Sequence, residues 1–355
     1  MSKRVVIVGA GVVGLFCALR LAKSGARVTV LESEPEDFSV FAPAASLAAA
    51  GMLAPFGDEA VEPAIDALAL EAFDLWRRQS RGALWEDGVR FDGGIVVGTD
   101  AEKVRDRARL SKRAVTSLSA AQWRKRSGLE ARVDQAIFLE DEGVADPIRV
   151  LSGLAMDARR HGVIIEFGQD VARVDADYVQ THEDKVVEAD AIVLATGAWG
   201  TEKLQLAAPA LKRIRPAKGQ LVPVSLPRPL GPNIRAPGFY LARRMEDDVI
   251  LGATMEFDRY DRHATEEGAA QLMAAAEALL PGEVRQRERG WAGVRPMSPD
   301  GLPMVGKSGV AWVAAGHSRN GWLYAPLTAE IIAAQIMNEA VSPLWERFSP
   351  ARFET

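Results

Sequence analysis

The sequence predicts an α/β protein in which a parallel-sheet domain, assembled from separate pieces of chain, holds a second, mixed β-sheet domain between them. Three observations predict it. A β-branched run, RVVIV (residues 4–8), passes through a glycine-rich turn into a helical pattern reaching Ala22, and VTVLE (28–32) follows as a second strand. Apolar strands ending in glycine turns recur in the middle of the chain, ADAIVLATGAW (189–199), and near its end, AAGHSRNGW (314–322). Between them lie β-rich stretches punctuated by proline and glycine. A chain of 355 residues has room for about two domains of ordinary size.

Each element follows from its local pattern. After Arg4, RVVIV is a run of β-branched apolar residues, as a strand buried on both faces shows. With the helix to Ala22 and VTVLE it completes a βαβ unit, whose strands should be parallel and whose crossover right-handed. Residues 38–57, FSVFAPAASLAAAGMLAPFG, carry no charge over a length that could span a bilayer. Two prolines, seven alanines and two serines make the segment too weakly apolar for a span. Residues 59–80 repeat apolar positions near a 3.6 period and are expected as a helix. FDGGIVVG, within 89–99, begins a glycine-rich strand in a region of different character. Residues 147–161 form an amphipathic helix, with Pro147 at its start and Gly162 past its end. Strands are expected at 163–167, 171–175, 191–195, 221–224, 240–243, 249–255 and 312–315, and helices at 266–280 and 326–340. On this reading 1–82, 143–214 and 291–355 build the first domain, and 83–142 with 215–290 the inserted one.

Composition narrows the function classes. Hydrophobic residues at 48% and charged residues at 26% suit a soluble globular protein. A net charge of −5 gives no reason to expect nucleic acid, which demands a basic surface. The one cysteine, Cys17, rules out an intrachain disulfide, a CxxC redox pair and a thiolate metal site, and suits a cytoplasmic compartment. Lys3 and Arg4 followed by VVIVGAGVVGLFCAL mimic a signal peptide, but glycines at 9, 11 and 14 are foreign to one.

Those glycines have a chemical reading. In Gly9-Ala10-Gly11-Val12-Val13-Gly14 the first allows a tight turn and the second lets backbone approach a pyrophosphate; the third packs helix against strand. The helix N-terminus favours phosphate charge. Glu32, eighteen residues after Gly14, is placed to accept from a ribose and disfavours a 2′-phosphate, and so NADP. The glycine motif alone is unspecific; strand, helix and terminal acid together are not. It leaves FAD and NAD open. Two further strand–glycine turns, with Thr196 and Gly197 and then His317 to Gly321, favour FAD, the longer dinucleotide.

VIVGAGVVGL, Glu32, AASLAAAGMLAP (44–55), GVADPIRVLSGL (143–154), LATGAW, RPAKGQ (215–220), LGATME (251–256), WAGVRPMSPDGLPMVG (291–306) and AAGHSRNGW occur in that order. Together they resemble the D-amino-acid oxidase superfamily of FAD-dependent amine oxidoreductases, and within it the bacterial glycine oxidases of thiamine biosynthesis. Residues 78–140 match least. The resemblance implies an FAD-binding Rossmann-like domain and a substrate-binding mixed sheet. It places Val12 and Val13 at the pyrophosphate, Glu32 and Ser33 at the adenosine ribose, and Val171 on the adenine side. Ala45, Ser46, Ala50, Gly51 and Met52 would line the flavin, and His317, Ser318, Arg319, Asn320, Gly321, Trp322 and Leu323 would wrap its ring. The other reading of the alanine segment is an ordinary core helix. Arg295 would clamp the substrate carboxylate, assisted by Tyr240, with Arg319 a further contact and Met255 bounding the pocket.

The implied reaction is oxidative deamination of glycine or another small amino acid or amine, with oxygen the acceptor and hydrogen peroxide a product. It needs no enzymic base, because the nitrogen lone pair drives hydride transfer to the cofactor. His317 is then expected to serve through its backbone. With Cys17 on the first helix, FAD is expected to be non-covalent. Gly238 stands where glycine oxidases often carry a histidine, which predicts a wider pocket mouth. Alternatives stay open: a dehydrogenase passing electrons to a quinone, the oxidase half of a tRNA-modifying enzyme, and a silent flavin- or NAD-binding module. A homo-oligomer is expected by analogy alone.

Overall fold

A computed structural model describes residues 2–57, 62–131, 133, 135–245 and 248–353. Two large sheets organise it. The first runs, in spatial order, Met304–Ser308, Ala311–Ala315, Ala191–Leu194, Arg4–Val8, Arg27–Leu31, Ile164–Glu166. All neighbours are parallel except the terminal hairpin of Met304–Ser308 and Ala311–Ala315. The central strand is apolar and buried from Val5 to Val8 because both its faces are covered there, while Arg4 at its start pairs with Glu188 and Asp190. One face packs on helices Val12–Lys23, Pro63–Gln79, Pro147–Arg160 and Gly321–Met337, which share the main core with it. The other face packs under the antiparallel strands Val171–Val174, Tyr178–Thr181 and Val186–Glu188.

The second sheet is mixed and ten-stranded. Its spine is the long strand Arg215–Ser225, which pairs with Asp248–Gly252 at one end and Glu256–Phe257 at the other, and with Trp291–Met297 along its length. Phe239–Met245, Asn233–Ala236, Gly94–Val97, Ala136–Leu139 and Val115–Ser117 extend it. Helices Ala120–Ser127 and Glu266–Leu279 bury Trp123, Leu272 and Ala276 against one face. Trp291–Met297, expected to open the last piece of the first domain, pairs along its whole length with Arg215–Leu221 of this sheet, and its end also bridges to the loop at His317 and Ser318.

Helix boundaries follow local chemistry. Asp146 accepts from the Arg149 N–H at 2.9 Å and caps the helix that Pro147 opens. The helix expected over 59–80 runs Pro63–Gln79, and positions 59–61 lie outside the described residues. Residues 38–57 hold only a four-residue helix, Ala45–Ala48, and the strand Met52–Leu53. Among the described residues no helix is long and apolar enough to cross a membrane.

The last helix departs from expectation. A proline suits a first turn, which places the start at Pro326; the helix begins at Gly321 and carries Pro326 inside it. Proline has no N–H to offer the carbonyl four residues back, that of Trp322. The Trp76 indole supplies the missing donor, reaching Trp322 O at 2.9 Å and Leu323 O at 3.1 Å. Two highly charged helices, Asp100–Leu110 and Ala120–Ser127, had no counterpart in the sequence reading.

Candidate functional site

A cavity of about 790 Å³ runs from the glycine turn of the first sheet to the exposed face of the second. At its first end, Gly9 adopts φ +107°, and a Cβ there would press on the Ala195 carbonyl. Gly11 caps helix Val12–Lys23, whose first N–H, Val12, donates to Ser46 Oγ at 3.1 Å. Gly14 does not line the cavity: a Cβ on it would collide with the Gly9 carbonyl, so its part is packing. The Glu32 carboxylate accepts from the Ala10 N–H at 2.7 Å while still facing the cavity, with Ser33 beside it.

The middle of the cavity is walled by small residues, among them Ala45, Ser46, Ala48, Ala50, Gly51, Thr196 and Gly197. The buried Thr196 hydroxyl has no hydrogen-bond partner, which in a closed wall implies a missing polar group. A Cβ at Gly197 would meet nothing within 4 Å, whereas one at Gly51 would strike the Ala145 carbonyl. The alanine segment is therefore pressed against protein on one side and open on the other. Those features fit a long, flat dinucleotide. Val171 lines the cavity at its Glu32 end, next to Asp170, which pairs with Lys203 at 2.8 Å.

At the far end, strands of the second sheet present a floor without side chains. A Cβ at Gly219 would occupy the place of the Arg295 guanidinium, and one at Gly252 would meet the Tyr240 hydroxyl. A Cβ on Gly293 would press into Ala48. The glycines let Arg295, Tyr240 and the alanine segment lie close on the sheet. Arg295 donates to Thr254 O at 3.2 Å and touches Met255 Sδ at 3.8 Å; no carboxylate pairs with it among the described residues. Burial lowers its pKa, Tyr240 opposes that, and Arg319 adds to it. Burial raises the Tyr240 phenol, with Arg295 and Arg319 pulling the other way. The phenol stays a protonated donor, flanked by two cations. The acids lining the cavity sit elsewhere: Glu32, Glu34 and Asp170 at the adenosine end, none at the arginine end among the described residues.

Helix Gly321–Met337 brings the GHSRNGW loop between these ends. His317, Ser318, Arg319, Asn320, Gly321 and Trp322 line the cavity. The His317 ring points away from it, to Thr328 Oγ1 at 2.9 Å, and burial pushes its pKa down to about 3. Leu323 lies in the core, not on the cavity, because the helix turns it inward. Met255 too lies off the lining, against Arg295. Gly238 is not on the cavity lining: it sits at φ +83° in the turn before Phe239–Met245, its Cβ direction facing Ala275.

Several lining residues escaped the sequence reading. Trp199 donates to Pro43 O at 3.2 Å. Arg235, opposite Tyr240 on the neighbouring strand, pairs with the buried Glu142. Arg262 reaches Phe41 O at 2.6 Å. Trp199 closes the LATGAW segment but carries no role in that pattern; Arg235 and Arg262 belong to no recognisable motif, and cross-strand register and a long return loop bring them to the cavity.

Comparison with known proteins gives the same picture. The profile of the FAD dependent oxidoreductase family matches residues 4–335. The bifunctional protein ThiO/ThiG of Trichormus variabilis is 31% identical over 100% of this chain and 56% of its own, so the chain spans about half the length of that relative. The glycine oxidase of Pseudomonas aeruginosa is 30% identical over 94% of both chains. The crystal structure of glycine oxidase from Geobacillus kaustophilus superposes with a TM-score of 0.86 at 26% identity, covering 99% of each chain.

Proposed function

The chain belongs to the FAD dependent oxidoreductase family, and from that premise we propose that it oxidises glycine or another small amino acid or amine to the imine, which water converts to the 2-oxo acid and ammonia. When bound, FAD would supply the acceptor for the hydride leaving Cα, with oxygen as the final acceptor and hydrogen peroxide the product. The observation that carries this reading is Arg295: a largely enclosed guanidinium with no carboxylate partner among the described residues, laid over Gly219 beside a phenol donor. A half-buried cation with no counter-charge beside it is a ready partner for a substrate carboxylate, which it can hold with bidentate geometry. Tyr240 donates a further hydrogen bond to that carboxylate, and Arg319 closes the opposite side.

Holding the carboxylate there fixes Cα over the alanine-walled middle of the cavity, where the flavin ring has room. No described residue at this end can take a proton from the amine, and His317 is neutral and turned away. The substrate therefore reacts with its nitrogen unprotonated, and kcat/KM climbs with pH until the free amine's own pKa is passed. The lone cysteine, Cys17, is buried in helix Val12–Lys23 and off the cavity lining, which leaves no thiol to tether the cofactor.

The test is anaerobic mixing of the holoenzyme with glycine, sarcosine, D-alanine and D-proline while flavin absorbance is followed. Bleaching by at least one, with peroxide formed on admitting air, is the expected result. Bleaching without peroxide assigns a different electron acceptor. No bleaching by any of them overturns the reading.

A further inference from the structure

Two anions must share this cavity, the diphosphate of FAD and a substrate carboxylate, and its cations can be matched to them. Lys203 is neutralised by Asp170 and Arg235 by Glu142. Arg295 and Arg319 face the substrate end, beside Tyr240. Arg262 also lines the cavity, and among the described residues its side chain bonds only the Phe41 carbonyl, with no carboxylate partner. Its neighbour Asp261 is already engaged, by Lys218 at 3.0 Å and by Arg259 at 2.7 Å.

The position of Arg262 singles out the diphosphate. It lies on the return loop, residues 253–265, between the second sheet and helix Glu266–Leu279. The loop is clipped near both ends to one buried residue: Gln220 N–H donates to Thr254 Oγ1 at 2.9 Å, and its amide exchanges bonds with the Thr265 backbone at 2.6 and 2.8 Å. Fully buried Lys218 holds the middle. From this base the loop arches to the first sheet's side: Tyr260 packs on Trp199 with ring centroids 5.8 Å apart, Trp199 holds Pro43, and Arg262 holds Phe41. The segment it holds leads within five residues to Ser46, which accepts from the first amide of helix Val12–Lys23.

We propose that the loop is a strap over the bound dinucleotide and that Arg262 is a diphosphate ligand contributed from the substrate-binding sheet. Charge on the FAD diphosphate is then shared between the amides of helix Val12–Lys23 and one arginine arriving from the opposite side.

The test uses the holoenzyme and Arg262→Gln and Arg262→Lys variants. FAD release on dilution is read from free-flavin fluorescence at low and high salt, and KM for the amine substrate is measured at saturating FAD. Arg262→Gln is expected to bind FAD about tenfold more weakly, in the range for one charge-assisted hydrogen bond, with release less sensitive to salt than in the parent. Arg262→Lys should lie between, and KM should stay within about twofold. FAD retention within about twofold of the parent overturns the proposal, and a raised KM with unchanged FAD release reassigns Arg262 to the substrate path. Neither outcome bears on whether the flavin is reduced by an amino acid.

Discussion

Arg295 takes its place from a residue with no side chain. Because a Cβ on Gly219 would coincide with the guanidinium, Gly219→Ala should mimic Arg295→Ala even though position 219 offers substrate nothing. Both are expected to lower kcat/KM by about ten- to a hundredfold, the worth of one charge-assisted pair. Flavin content should be retained, and steady-state kinetics beside the flavin spectrum checks both points. His317 makes the opposite prediction. Its imidazole is neutral in the folded protein down to about pH 3, while in the unfolded chain it protonates near 6.5. The unfolded state therefore binds more protons between those values, and stability falls as pH drops through that window. His317→Gln, which can still reach Thr328, should flatten this acid-side loss of stability, worth about 1.4 kcal/mol per pH unit at most, as read from thermal melts across pH. The pH profile of kcat/KM should not move, since the ring faces the core. Glu32 was readable from its spacing after the glycine turn, and Arg295 only through the family resemblance of WAGVRP. Gly219 was not, because its meaning lies in the strand beside it.

At the scale of elements, helix Gly321–Met337 places the GHSRNGW loop and depends on a borrowed donor. Trp76→Phe removes the indole N–H that serves the Trp322 and Leu323 carbonyls and should cost about 1–3 kcal/mol by chemical denaturation. Pro326→Ala restores an N–H four residues after Trp322. Made in the Trp76→Phe background, it should recover part of that loss, so the two changes should be non-additive. The sequence misplaced this helix start because a proline reads as a beginning unless a distant tryptophan is known to compensate. The region 100–127 was unread for another reason. Helix Asp100–Leu110 buries only Ala101, Val104, Arg107 and Ala108, and Arg107 is buried because Asp66, far away in sequence, pairs with it. A short helix held by an ion pair leaves little apolar periodicity to find.

Over the whole molecule, the two sheets meet across a cavity that neither fills with its own side chains, so the bound cofactor takes part in holding them. Stripping FAD should lower Tm, and returning it should raise Tm with concentration, by about 2.7 kcal/mol of stability at a hundredfold excess over Kd. A thermal-melt series in FAD checks this. The order of pieces, with glycine turns at both ends and the middle of the chain, made the two-sheet plan visible in sequence. The return of Trp291–Met297 to the second sheet was not visible, since it is settled by pairing. That pairing rests on the strand Arg215–Ser225, which works on both faces. Gly219 and Leu221 look into the cavity, whereas Lys218 and Gln220 look out to the loop they fasten. Loss or gain of a single codon upstream in this strand would turn Lys218 toward the substrate and Gly219 toward the loop, undoing both at once. Length variation among natural versions of this strand should therefore come in pairs of residues or not at all, while its flanking turns drift freely.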